Sequence, residues 1–240
     1  MNQRFAYDAA LAGEGLVAGA DEAGRGCLAG PLVAAAVCFD LGALASEDHA
    51  ALAALDDSKK LSRRVREKLY DEILRRARQV VVVSCSPATI DGVGLHRCNI
   101  ALLGRAAEAL RPRPAVVLVD GFALPGCACE HRQVIGGDGL SAAIAAASVI
   151  AKVTRDRVMT RLHNTYPQYG FDRHVGYATA AHQEAIVEHG VCVLHRLSFA
   201  SVAYRQLGLG FEGARDDGSK GAPVGGLDGA PDSGLESDFR

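Results

Sequence analysis

The chain has 240 residues, with 26 Lys+Arg against 28 Asp+Glu, a formal net charge of −2, and 49% hydrophobic residues. That length suits one large domain or two small ones, and the ordinary composition excludes wholesale disorder. No apolar run reaches the ~18–20 residues of a membrane span, and the N-terminus MNQRFAYDAALAGEG lacks the apolar stretch of a signal peptide.

Leu16 to Ala20 is a short apolar run that reads as a strand and leads into Asp21 and Glu22. Gly24 to Ala29 then matches the loose dinucleotide pattern G-x-G-x-x-[GA], which needs a helix next. Pro31 and the run LVAAAVCF follow instead, so residues 32–39 are expected to form the second strand of a hairpin. A glycine loop that brings backbone close to a sugar-phosphate fits this segment better. Leu61, Val65, Leu69 and Ile73 recur every four residues, an amphipathic helix with a basic outer face and Ser58 or Ser62 as its cap. Val80 to Val83 is β-branched throughout and predicts a strand.

Asn99 to Leu110 reads as a helix stopped by Pro112 and Pro114. Ala115 to Val119 is a strand ending at Asp120–Gly121, and Gln133 to Ile135 is a weaker one before Gly136, Gly137 and Asp138. Ser141 to Leu162 is a long Ala-rich helix, Thr179 caps a helix closed by Gly190, and a last helix spans Ser198 to Gln206. Strands and helices alternate first and helices dominate later, which predicts a mixed α/β sheet followed by a helical part. The last 34 residues, 207–240, hold nine Gly and a net charge of −4, leaving a body of +2. They lack apolar periodicity and are expected to be a disordered acidic Gly-rich tail.

Seven cysteines, an odd number, suggest a reduced, cytoplasmic setting. Cys127, Cys129 and His131 form a C-x-C-x-H string. A closed zinc site needs four ligands and the neighbouring sequence offers no fourth, so an ordinary loop is expected.

Asp21, Glu22, Asp120 and Asp138 all sit at or just beyond ends of predicted strands, where an α/β sheet gathers distant residues into one crevice. Hard divalent cations take such oxygen ligands. Adjacent strand side chains face opposite ways, so Asp21 and Glu22 share a site only if the strand ends between them, an ending that Gly24 and Gly26 favour. Asp56 and Asp57 follow no strand, and Asp57 reads as a cap for the basic helix.

DEAGRGCLAGPLVAAAV at 21–37 resembles the opening motif of ribonuclease HII. LDDSKKLS at 55–62, LVDG at 118–121, GGDGLSAAIAAASVIAKVTRDR at 136–157, YGFDRHVGYAT at 169–179 and HRLSF at 195–199 resemble its later blocks, in order. Gly136 and Val175 depart from the pattern at positions where Lys is common. The resemblance implies a ribonuclease H-like mixed β-sheet flanked by helices, with a helical C-terminal extension. It divides the chain into an N-terminal flank (1–13), a catalytic domain (14–206) and the tail (207–240).

The family's four metal-binding carboxylates fall on Asp21, Glu22, Asp120 and Asp138, and its ribonucleotide-sensing loop falls on Gly24, Arg25 and Gly26. Its junction-reading tyrosine falls on Tyr177, and Lys59 and Lys60 are expected at phosphates. The implied activity is hydrolysis of the RNA strand of RNA–DNA hybrids and incision 5′ to single ribonucleotides in duplex DNA. A two-metal mechanism with Mn²⁺ or Mg²⁺ is implied, leaving 3′-hydroxyl and 5′-phosphate ends. A monomer without membrane association is expected, and a sliding-clamp contact has no aromatic clamp-binding motif behind it. The alternatives are a weakly catalytic hybrid-binding module and a DNA-junction nuclease of the same fold. The related ribonuclease HIII carries an extra N-terminal domain, for which the first motif at residue 21 leaves no room.

Overall fold

The computed structural model describes residues 3–209. At its centre lies a five-stranded sheet in the order β3-β2-β1-β4-β5. β1 (Leu16–Ala23) and β2 (Leu32–Asp40) pair antiparallel from Leu16↔Asp40 to Ala23↔Val33, so the strand expected after Pro31 does close a hairpin. β3 (Gln79–Cys85) lies antiparallel on the far edge of β2. β4 (Val116–Asp120) and β5 (His131–Val134) run parallel to β1, which makes the sheet mixed as expected.

Alternating side chains supply two cores. Val17, Ala35, Val37 and Phe39 face a layer built from α1 (Gln3–Ala12), α2 (Ser46–Ala51), α3 (Arg63–Arg76) and α7 (Ala142–His163). Ala18, Ala20, Ala34 and Ala36 face α4 (Pro87–Val93) and α5 (Leu95–Glu108) on the other side. α3 starts where Ser62 caps it, with Oγ accepting from Val65 N, and buries Leu69 and Ile73 of the predicted stripe.

α7 matters most for the site. Its residues 142–147 are fully buried, and the five alanines among them let the helix lie almost on the sheet. A Cβ on Gly19 would sit 2.1 Å from the Ala143 backbone. The helix then follows β1: Ser148 meets Asp21, and Arg155 packs against Gly24.

The segment assigned to a flank contributes to this core. Phe5 and Asp8 of α1 are fully buried, with the Phe5 and Phe39 rings 5.7 Å apart. The Asp8 carboxylate accepts from Ala143 N at 3.0 Å, capping the start of α7. A ten-residue helix carries too few periods for its apolar stripe to stand out in sequence.

The C-terminal part comprises α8 (Phe171–His174), α9 (Ala180–His189) and α10 (Val202–Gln206). Thr179 and Gly190 bound α9 as predicted. α10 begins later than the expected Ser198, because the preceding backbone is held elsewhere: Leu197 N and Ser198 N both donate to the Asp91 carboxylate of α4. A third core of Leu28, Ala29, Met159, Tyr169, Phe171 and Tyr204 joins these helices to the segment after the glycine loop. Leu209 N donates to Tyr204 O at 2.8 Å, and the expected tail from residue 210 onward lies outside the described residues. Among the described residues, no helix is long and apolar enough to cross a membrane.

Candidate active site

β1 does not end between Asp21 and Glu22, contrary to the expectation from sequence; its ladder with β2 continues to Ala23. The two side chains therefore point to opposite faces, Asp21 toward Ser148 of α7 and Glu22 toward Asn99 of α5. What ends early is the other edge of β1. Its pairing with β4 stops at Ala20↔Val119, and both acids interact electrostatically with Asp120 at the tip of β4. The crevice opens where one edge of the strand loses its neighbour.

Asp120 is tied to the fourth acid through the backbone: its Oδ1 accepts from Gly137 N at 2.7 Å. Gly137 opens α6 (Gly137–Leu140), a single turn that carries Asp138 beside Asp120. Strand β5 thus serves to deliver α6 to the end of β4.

Electrostatics mark the cluster as one that lacks compensation. Burial raises the Asp21 carboxyl well above its ordinary range, and the charges of Glu22 and Asp120 add to the rise. Burial also raises Glu22; Arg25 and Asn99 pull it back, while Asp120 pushes the same way as burial. Asp138 is raised by burial, then by Asp120 and by Asp57. Glu22 Oε2 is buried without a hydrogen-bond partner, although Arg25 Nη1 lies 3.5 Å from Oε1. An orphaned carboxylate oxygen among repelling acids fits an all-oxygen site for hard cations. No three of these carboxylates bring their oxygens within 4.8 Å of one another.

Asp57 belongs with this cluster rather than with the basic helix. Its Oδ1 accepts from Lys59 N at 2.9 Å, which shapes the turn before α3, and its carboxylate lies against Asp138. Sequence reading missed it because no strand precedes it; the turn brings it in from the side. Ser58 of the same turn is buried, with its Oγ 2.9 Å from Ser148 Oγ.

A cleft of about 330 Å³ adjoins the acids, lined by Glu22, Gly24, Arg25, Gly26, Lys59 and Tyr177, with Ser58, Ser148 and Lys152 completing it. Lys60 is not among its lining residues and instead stands 3.9 Å from Asp56. Tyr177 reaches the glycine loop through a bridge pairing Cys27 with Tyr177. The residue is 39% exposed, with Lys152 Nζ 5.2 Å from the ring centroid. The approach is close enough to exclude a side chain at Gly176, where a Cβ would lie 2.3 Å from Ala29 O.

Two buried arginines hold this arrangement. Arg196 Nη1 donates to Gly24 O at 2.6 Å and to Arg25 O at 3.2 Å, while its Nε and Nη2 both donate to Gly30 O. Arg155 donates to Pro31 O, Ala29 O and Val175 O, linking the loop to the segment before Tyr177. Val175, one of the departures from the family pattern, takes a left-handed φ of 44° there. Arg155 gave no signal in sequence, because a buried arginine within an Ala-rich helix looks like an ordinary surface residue. His195 is buried beside Tyr169 and His182, and burial lowers it to about 4, which makes it a neutral packing group.

The ribonuclease HII family profile matches residues 18–202. Ribonuclease HII of Rhodococcus erythropolis is 52% identical over 197 residues, spanning 81% of this chain and 85% of that protein. The crystal structure of ribonuclease H2 from Pyrococcus horikoshii superposes with a TM-score of 0.65 at 26% identity, covering 80% of this chain and 96% of that one. A Bst ribonuclease HIII crystallised with Mn²⁺ superposes at 0.64 and 20% identity, covering 85% and 73%, and so shares the fold alone. With its carboxylates gathered around the carboxyl ends of two central strands and the profile matched along nearly the whole described chain, the protein belongs to the ribonuclease HII family of metal-dependent ribonucleases H.

Proposed function

We propose that this endoribonuclease, whose family acts on RNA–DNA hybrids, also incises duplex DNA 5′ to single embedded ribonucleotides, leaving 3′-hydroxyl and 5′-phosphate ends. Asp21, Glu22, Asp120 and Asp138 are the residues to hold two Mg²⁺ or Mn²⁺ ions. Two ions held there would supply activation of a water for in-line attack and charge stabilisation of the leaving 3′ oxygen.

The chain's own groups select and position the substrate. The 2′-hydroxyl distinguishes one ribonucleotide from DNA, so a selective enzyme must contact it. Arg25 and Gly26 are exposed at the cleft, and their peptide groups can approach a sugar closely. Arg196 and Arg155 hold that loop rigid from behind. Tyr177 offers a half-exposed ring for stacking on the neighbouring deoxyribose, which makes it the reader of the RNA-to-DNA step. Lys59 supplies positive charge for a phosphate at the rim, and Lys60 contributes only at longer range.

The observation that carries this reading is that one cleft is lined by a metal-ligand candidate, the glycine loop and Tyr177 together. A DNA-junction nuclease of the same fold has no need of that juxtaposition, and a weakly catalytic binding module has no need of the complete acid set. The deciding experiment is cleavage of a DNA duplex containing one ribonucleotide, with and without Mg²⁺ or Mn²⁺. Metal-dependent incision on the 5′ side is expected; its absence overturns the proposal.

A further inference from the structure

The Cys127, Cys129 and His131 string plays no part in the chemistry described above. Its two cysteines lie in the irregular connection after β4, which ends in Asp120, and His131 opens β5, which leads to Asp138. The fold brings the donor atoms of all three residues within 4.8 Å of one another. The two Sγ atoms are 3.1 Å apart.

His131 has both ring nitrogens engaged. Its Nδ1 lies 2.9 Å from Cys129 O, and Leu124 N donates to its Nε2 at 3.3 Å. That pattern puts the ring proton on Nδ1 and the lone pair on Nε2, as in a metal-bound histidine whose other nitrogen is anchored by a carbonyl. The bond from Leu124 is long, and it is the one that ligation would exchange for a metal.

A fourth donor stands nearby on another element, outside the 4.8 Å group, and would have to turn toward the thiols to complete the set. Glu108, the last residue of α5, accepts from Ala128 N through Oε1 at 2.7 Å. Ala128 is the residue between the two cysteines, so the carboxylate is fixed over the turn that presents both thiols.

We propose that Cys127, Cys129, His131 and Glu108 form a zinc site separate from the catalytic carboxylates. Two thiolates, an imidazole and a carboxylate are a tetrahedral donor set of the zinc type, and thiolates select against Mg²⁺ and Mn²⁺. Bound zinc staples the β4–β5 connection to the end of α5 and braces the two elements that deliver Asp120 and Asp138.

The test uses the full chain, reduced and stripped with a chelator, then titrated with Zn²⁺ against a chromophoric competitor and, separately, with Co²⁺. One equivalent of zinc and a thiolate-to-cobalt charge-transfer band are expected. Cys127→Ser, Cys129→Ser and His131→Gln should each abolish stoichiometric binding, and Glu108→Gln should weaken it by about 10-fold or more. Circular dichroism should stay at parental levels in Cys127→Ser, which shows that the variant folds. No thiolate band in the parent protein overturns the proposal irrespective of how the variants behave. So does zinc binding that survives loss of both cysteines.

Discussion

Arg196→Lys tests whether the glycine loop is held by geometry or merely by charge. The guanidinium is fully buried and spreads four hydrogen bonds over the carbonyls of Gly24, Arg25 and Gly30. A lysine ammonium is a point donor and cannot reproduce the fork that spans Gly24 and Gly30. If it stays with Gly24, Gly30 O loses both of its arginine donors. One orphaned buried carbonyl costs about 1–3 kcal/mol, and the more strongly hydrated ammonium adds to that, so a loss of about 2–4 kcal/mol is expected. Denaturant unfolding at neutral pH measures it. The loop should also shift relative to the acids, and a displacement near 1 Å costs on the order of 100-fold in rate. Incision at a single ribonucleotide should therefore fall by about 10- to 100-fold. A variant within about 0.5 kcal/mol of the parent, with full incision, would show that the fork is not what positions the loop.

Other perturbations separate the remaining roles. Asp120→Asn keeps an acceptor for Gly137 N, so it should fold normally yet lose at least about 100-fold in cleavage; parental activity would remove Asp120 from the site. Tyr177→Ala should harm single-ribonucleotide incision more than cleavage of long hybrids, and equal losses would contradict junction reading. Asp8 is raised from 3.8 to about 6, chiefly by burial. Its contribution to stability is thus complete below pH 3.8 and disappears as pH rises through about 6. That shift corresponds to about 3 kcal/mol. Measured in chelator from pH 4 to 8, Asp8→Asn should gain on the parent by about that amount as pH rises; a constant difference would refute the linkage.

Much of this protein was legible before folding was considered. The hairpin followed from Pro31 and an apolar run, which together exclude a nucleotide-binding helix. Of the two caps offered for α3 the structure keeps Ser62, Thr179 caps α9 as read, and the long helix starts at its expected Ser141, which turns out to be its cap. These are local signals, carried by hydrogen bonds and side-chain periods within a few residues. The short α1 was lost to the same locality, since its reason for being helical is burial against Phe39 and Ala143.

The list of acids could be read from motif order; how they meet could not. Asp21 and Glu22 face opposite ways and yet serve one crevice, because β4 stops pairing at Ala20 while β2 continues to Ala23. Strand ends are decided by both neighbours, and a one-dimensional pattern records neither. Asp57, Asn99, Arg155 and Glu108 lie far in sequence from what they touch. Side-chain chemistry is written residue by residue, so motifs name the candidate reacting groups. Partnership between distant groups depends on close packing, here an alanine helix laid against Gly19, and only the folded chain has it.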